Sequence, residues 1–315
     1  MKQPLVILTG PTAVGKTALS IELARRIGGE IISADSMQVY RGMDIGSAKI
    51  MPEEMRGIPH YLIDELDPDE PFHVVKFQEL AKKYMQVIWD KGKIPILTGG
   101  TGFYIQAVLY DIDFTENEED GSYRQQLEKL AGEKGAEYLH DQLAQVDPRS
   151  AEQIHANNIK RVIRALEFYH ETGTPISRHN EAERQKSSPY NFAYFVLNDD
   201  RETIYQRINL RVDRMLEAGL INEVEQLRSR GYTRDMVSMQ GLGYKEILDY
   251  LEGNCTLEEA VYTIKRDTRH FAKRQLTWFK RERDVIWIQK DGYGQKEEEM
   301  LEDMMELLRQ REIIR

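Results

Sequence analysis

Residues 10–17 read GPTAVGKT, two glycines with four residues between them, followed at once by lysine and threonine. Gly10 and Gly15, with Pro11, Thr12, Ala13 and Val14 between them, let the backbone turn its N–H groups inward around an anion. Lys16 supplies a point charge and the Thr17 hydroxyl can hold magnesium. The apolar run LVILT precedes the stretch and ALSIELARRI follows it, so the turn joins a strand to a helix whose positive N-terminal end adds to the attraction for phosphate. Most loops of this spacing hold nucleoside triphosphates, which makes an ATP-binding kinase or NTPase the first expectation.

Two further strand ends carry residues of the right type. EIISADS places Asp35 after an apolar run, where it is a magnesium ligand, a general base, or simply the cap of the next element. LTGGTGFY, residues 97–104, puts three glycines and Thr101 after another strand-like run, so that backbone and a small hydroxyl can approach a ligand closely. As an isolated pattern it is equally a tight turn. Beside a phosphate loop and Asp35 it becomes a third wall of one cleft.

Elements of alternating type must position these loops. Strand-like runs at Leu5–Thr9, Glu30–Ala34 and Ile94–Thr98 alternate with helix-patterned sequence, in which Val74, Phe77, Ala81, Tyr84 and Ile88 recur at three and four residues. That order implies a parallel sheet covered on both faces. About 90 residues separate Thr98 from the next strand candidate, Phe192–Leu197, far more than a crossover needs. The fold expected is therefore α/β, a P-loop NTPase-like parallel sheet core with an inserted all-helical domain and C-terminal helices. Its core would span residues 1–115 and 190–315 and its insertion 116–189, with polar hinges at 114–121 and 180–191. A last strand is expected at Val285–Ile288.

The whole chain sets limits on function. With 315 residues, 41% of them hydrophobic, it can bury a large core, and no run approaches the roughly 18 apolar residues of a membrane span. The N-terminus enters a strand directly without a signal-peptide layout, so a cytoplasmic protein is expected. Cys255 is the only cysteine, which leaves no internal disulfide and no cysteine-built zinc site. A net charge of −10 argues against coating nucleic acid by bulk attraction. A local basic face remains: residues 264–283 hold eight lysines and arginines against two acids. On a helical wheel Arg266, Arg269, Lys273 and Lys280 fall within an arc of about 60°, opposite Ile264, Phe271 and Trp278. Such a stripe is either a solvated surface or a seat for a polyanion.

Four stretches together resemble the bacterial tRNA dimethylallyltransferases, also called tRNA isopentenyltransferases: GPTAVGKT; DSMQVYRGMDIGSAK at 35–49; GGTGFY at 99–104; and the pair NNIKRVIRALE at 157–167 and GLGYKE at 241–246. The second is by far the most specific, and Ser47 is its one mild departure, where threonine is commoner. The likeness runs from residue 10 to beyond 270. It implies transfer of a five-carbon dimethylallyl group from dimethylallyl diphosphate to the exocyclic amine of the adenosine just 3′ of a tRNA anticodon. The loop would then grip a diphosphate leaving group through Lys16, Thr17 and Mg2+, helped by Arg211. Asp35 would be the general base, and Thr101 would line the passage of the flipped adenine.

The resemblance further implies tRNA contacts at Asp35, Ser36, Met37 and Gln38, at Arg124, at Ile159, Lys160, Arg161, Val162 and Ile163 with Arg164 beside them, and at Gln240, Gly241, Leu242, Gly243, Tyr244 and Lys245. The insertion would clamp the anticodon stem-loop while the 264–283 stripe held the backbone. An asymmetric clamp fits a monomer with no obligatory protein partner and no membrane. The alternatives are a P-loop kinase of a nucleoside or small metabolite and a nucleic-acid-binding GTPase or scaffold. The latter's guanine-reading N-K-x-D tetrapeptide is missing from the chain.

Overall fold

The computed structural model describes residues 2–114, 122–294 and 296–315. They form two compact units, Met1–Leu109 with Pro189–Arg315, and Tyr110–Ser188. The hinge expected at 114–121, apart from Phe114, and the boundary expected between residues 115 and 116 lie outside the described residues.

The first unit is built on six parallel strands: β1 (Pro4–Thr9), β2 (Gly29–Ser33), β3 (His60–Tyr61), β4 (Ile94–Gly99), β5 (Asn191–Asn198) and β6 (Val285–Gln289), in the order β3-β2-β4-β1-β5-β6. β1 and β2 are buried almost throughout, as strands covered on both faces must be, which is why their sequences are apolar runs and not alternations. α1 (Lys16–Ile27), α2 (Val74–Asp90) and α3 (Gly102–Leu109) follow β1, β3 and β4. β3 was not expected from sequence: two residues at the sheet edge carry no periodicity.

The second unit consists, among the described residues, of helices alone: α4 (Ser122–Lys134), α5 (Ala136–Val146), α6 (Pro148–Gln153), α7 (Ile159–Thr172) and α8 (Ile176–Gln185). Leu127, Leu139, Leu143, Ile154, Val162, Ile163 and Leu166 make its core. Asp147 caps α6 and also accepts from the Ser177 N–H and hydroxyl, pinning the start of α8.

After β5 the first unit continues with α9 (Arg201–Glu217), α10 (Leu220–Ser229), α11 (Tyr244–Leu251) and α12 (Leu257–Phe279), then, beyond β6, α13 (Lys290–Tyr293) and α14 (Glu297–Gln310). Asp200 caps α9 by accepting from Thr203 N, and Thr256 with Glu259 forms a reciprocal capping box at the head of α12. α12 thus starts firmly at one end and runs for 23 residues to the cleft.

Candidate active site

Thr9 at the end of β1 pairs with Gly99 of β4, and Ser33 at the end of β2 pairs with Thr98. The loops after these three strands therefore leave the sheet at one level, on the carboxyl edge where open α/β sheets bind ligands. Close packing fixes them there. A Cβ on Gly99 would lie 2.1 Å from the Ala34 carbonyl oxygen, and one on Gly10 2.4 Å from that of Leu197.

The phosphate loop is folded by positive φ at Gly10, Ala13 and Gly15 and anchored by the fully buried Val14. α1 begins at Lys16 with no side chain capping its first N–H groups, which leaves those donors for an anion. Lys16 Nζ donates to the carbonyl oxygens of Gly10 at 3.1 Å and Pro11 at 2.9 Å. Its pKa is lowered to about 8, chiefly by burial and then by the positive charge of Arg211, with Asp35 working in the opposite direction. Arg211, on α9, donates to the Thr12 hydroxyl at 3.4 Å; burial disfavours its charge as well, and Asp35 again offsets this. One carboxylate thus stands within electrostatic reach of two desolvated cations.

Asp35 Oδ1 accepts from the N–H groups of Met37 at 2.8 Å and Gln38 at 3.4 Å. The residue is therefore a turn cap as well as a candidate base, and Oδ2 makes no hydrogen bond among the described residues. Thr101 donates its N–H to the Ala34 carbonyl, next to Asp35, and leads into α3. Thr17 is exposed at the first turn of α1, and its hydroxyl makes no hydrogen bond among the described residues. No three His, Cys, Asp or Glu side chains among the described residues are grouped as metal ligands. A magnesium ion on a diphosphate needs no such group: one protein hydroxyl, phosphate oxygens and water complete its octahedron, and Thr17 fits that requirement.

The stretch 35–49 is held by Glu223, which lies in none of the quoted stretches, and by Tyr244, which lies in GLGYKE. The N–H groups of Asp44, Ile45 and Gly46 all point at the Glu223 carboxylate, at 3.0, 2.7 and 3.0 Å, and Tyr244 donates its hydroxyl to the same carboxylate at 2.8 Å. Gly46 is glycine because the Tyr244 ring lies against it, 2.5 Å from where a Cβ would be. Lys49 is buried between Asp44 and Asp64, donating also to the Tyr40 carbonyl. Two of the stretches quoted above, 35–49 and 241–246, therefore interlock.

The residues expected to meet tRNA fall into two kinds. Ser36, Met37 and Gln38 are half-buried, and Met37 reaches Gly241, whose Cβ would lie 2.5 Å from the methionine methyl; Gln240 is exposed, and Leu242 and Lys245 are half-buried. Gly243 and Tyr244 are buried, so the Tyr244 side chain is not open at the surface. In the helical unit, Lys160 and Arg161 are exposed, and Ile159 and Arg164 half-buried, while Val162 and Ile163 belong to the core. Arg124 forms a two-pronged pair with the buried Glu167, at 2.8 and 2.6 Å.

Three features of α12 were not legible beforehand. Gln275, buried, accepts from Thr12 N and donates to the Gly100 carbonyl. Trp278 lies on Gly102, 2.3 Å from its would-be Cβ, and meets the exposed Phe103 edge-on. The basic face is also rotated from the expected stripe. Arg269 is spent on Asn209 of α9 and Arg266 on Asp267, while His270, Lys273, Arg274, Thr277, Trp278 and Arg281 line an open groove of about 440 Å³. The wheel arithmetic could not show which side of α12 the neighbouring helix α9 covers.

The fold and loops define a P-loop α/β protein whose phosphate site adjoins a carboxylate and a second glycine loop. The family described as IPP transferase matches residues 38–282. The tRNA dimethylallyltransferase of Lachnoclostridium phytofermentans is 65% identical over 313 residues, covering 99% of this chain and all of that one. The full-length tRNA isopentenylpyrophosphate transferase of Bacillus halodurans superposes with a TM-score of 0.74 at 47% identity, over 99% of this chain and 98% of that one. A eukaryotic dimethylallyltransferase described as acting on tRNA gives 0.78 at 29% identity, over 91% and 74%. This chain belongs to the IPP transferase family. These likenesses support the prenyl-transfer reading and not the kinase.

Proposed function

We propose that the protein transfers the dimethylallyl group of dimethylallyl diphosphate to the exocyclic amine of the adenosine 3′-adjacent to a tRNA anticodon, releasing diphosphate. The observation that carries this reading is Asp35, with one carboxylate oxygen free of hydrogen bonds among the described residues, within electrostatic reach of two desolvated cations, Lys16 of the phosphate loop and Arg211 of α9. A leaving group that gathers negative charge belongs beside Lys16 and Arg211, and the proton lost by the attacking amine belongs on a carboxylate. As the amine nitrogen bonds to the first carbon of the prenyl chain, the bond from that carbon to diphosphate oxygen breaks. The electron pair goes to the diphosphate and the amine proton to Asp35.

Lys16, the open N–H groups of α1 and Arg211 hold the leaving group, and Thr17 contributes the protein ligand for Mg2+. When bound, that ion neutralises part of the charge on the diphosphate. Thr101 borders the passage through which the flipped adenine enters. The RNA backbone is assigned to residues 35–38, 240–245 and the α12 groove. Lys160 and Arg161 of the helical unit are assigned to the anticodon stem, and Arg124 reaches a base only on leaving Glu167. The protein is assigned to the cytoplasm as a monomer; among the described residues no helix is long and apolar enough to cross a membrane.

Mass analysis of nucleosides from tRNA incubated with the protein, dimethylallyl diphosphate and magnesium tests this reading. A dimethylallyl adduct on adenosine is expected. Unmodified adenosine, with transfer of labelled phosphate from ATP to a small acceptor instead, would overturn it.

A further inference from the structure

The Gln275 carboxamide hydrogen-bonds both the phosphate loop and the loop that carries Thr101. Its Oε1 accepts from Thr12 N of the phosphate loop at 2.8 Å, and its Nε2 donates to the carbonyl oxygen of Gly100, next to Thr101, at 2.9 Å. Only one orientation of the amide serves both partners, since the oxygen cannot donate and the nitrogen cannot accept. The side chain is 6% exposed, and a Cβ on Gly100 would sit 2.2 Å from Nε2, so the second loop lacks a side chain where the amide must pass. Thr12, at the other end, also receives Arg211 through its hydroxyl.

We propose that Gln275 is a positioning residue that sets the separation between the phosphate loop and the Thr101 loop, and so between the leaving group and the accepting amine. This rests on the function proposed above. A displacement requires the two reacting atoms in line and close, and an error of about 1 Å costs on the order of 10²-fold in rate. The remaining substrate contacts are untouched by the change, so the loss falls on kcat more than on either KM.

The test compares steady-state transfer to an anticodon stem-loop RNA by wild-type, Gln275→Ala, Gln275→Glu, Gly100→Ala and the double variant Gly100→Ala with Gln275→Ala, alongside RNA affinity. Gln275→Ala is expected to lower kcat by about 10-fold to 10²-fold with RNA affinity unchanged. Gln275→Glu keeps the acceptor for Thr12 but faces the Gly100 oxygen with a carboxylate. Near pH 8 it should be as slow as the alanine variant, and towards about pH 6 it should recover relative to wild type as a protonated carboxyl donates again. Gly100→Ala should be slow alone and add little once Gln275 has been shortened. Wild-type kcat in Gln275→Ala, a loss of RNA affinity with kcat intact, no recovery of the glutamate variant at low pH, or multiplicative losses in the double variant would each overturn the proposal. Failure of wild-type protein itself to modify the RNA would instead overturn the proposed function.

Discussion

The lowered proton affinity of Lys16 makes the phosphate loop pH-sensitive in a calculable way. Burial and the neighbouring Arg211 bring its pKa to about 8, and only the cationic form can pair with a diphosphate. The sign follows from the direction of the shift. Affinity is complete below about pH 8 and falls as pH rises through it, because each binding event must then take up a proton. With a pKa of about 8 the ammonium fraction is roughly nine-tenths at pH 7 and one-tenth at pH 9, a tenfold difference, or about 1.4 kcal/mol. Calorimetric titration with dimethylallyl diphosphate and magnesium at those two values also reports ionisation of ligand and metal-bound water. Lys16→Arg removes that ambiguity, since its guanidinium stays charged throughout. The wild-type protein should lose about tenfold more affinity than the arginine variant between about pH 7 and 9. Replacing Arg211 by glutamine should shift the fall to higher pH, since a like charge is removed. Parallel losses in wild type and Lys16→Arg would refute this reasoning and remove the Lys16 ammonium from the diphosphate site.

Asp35→Asn retains an oxygen for the Met37 and Gln38 N–H groups and removes only the base, so transfer should fall by about 10²- to 10⁴-fold with RNA affinity and thermal stability near wild type; unchanged turnover would strike Asp35 from that role. Thr17→Val should raise the magnesium concentration for half-maximal transfer on the order of tenfold or more, and an unaltered requirement would move the metal elsewhere. Tyr244→Phe takes one hydrogen bond from Glu223 and should cost about 0.5–1.5 kcal/mol in denaturant unfolding while leaving RNA affinity alone. The reverse pattern would put that hydroxyl in the RNA interface.

What could be read from the sequence was whatever is local. GPTAVGKT is legible because turn, charge and hydroxyl must follow one another within one loop, and Asp35 because a strand end delivers it. The sheet and the helical stretch followed from periodicity, and β3 escaped because two edge residues have none. Gln275 and Glu223 escaped for a different reason: their partners lie 263 and 179 residues away, and a single amide or acid has no spacing to recognise; Tyr244 lies inside a recognised stretch, but its bond to Glu223, 21 residues away, has no spacing to show it either. Yet these are the groups that make the local motifs specific. Gly46 must be glycine because of the Tyr244 ring, and Gly100 tolerates no Cβ because of the Gln275 amide. A phosphate loop by itself accepts any molecule with adjacent phosphates. Its chemistry is decided by what stands beside it, and here the spacing to the Thr101 loop is set by Gln275 of α12, a helix that comes late in the chain and carries a basic groove on another face. The same helix that would meet the RNA therefore also holds the loop that would meet the diphosphate, which gives the two substrates a shared rigid element.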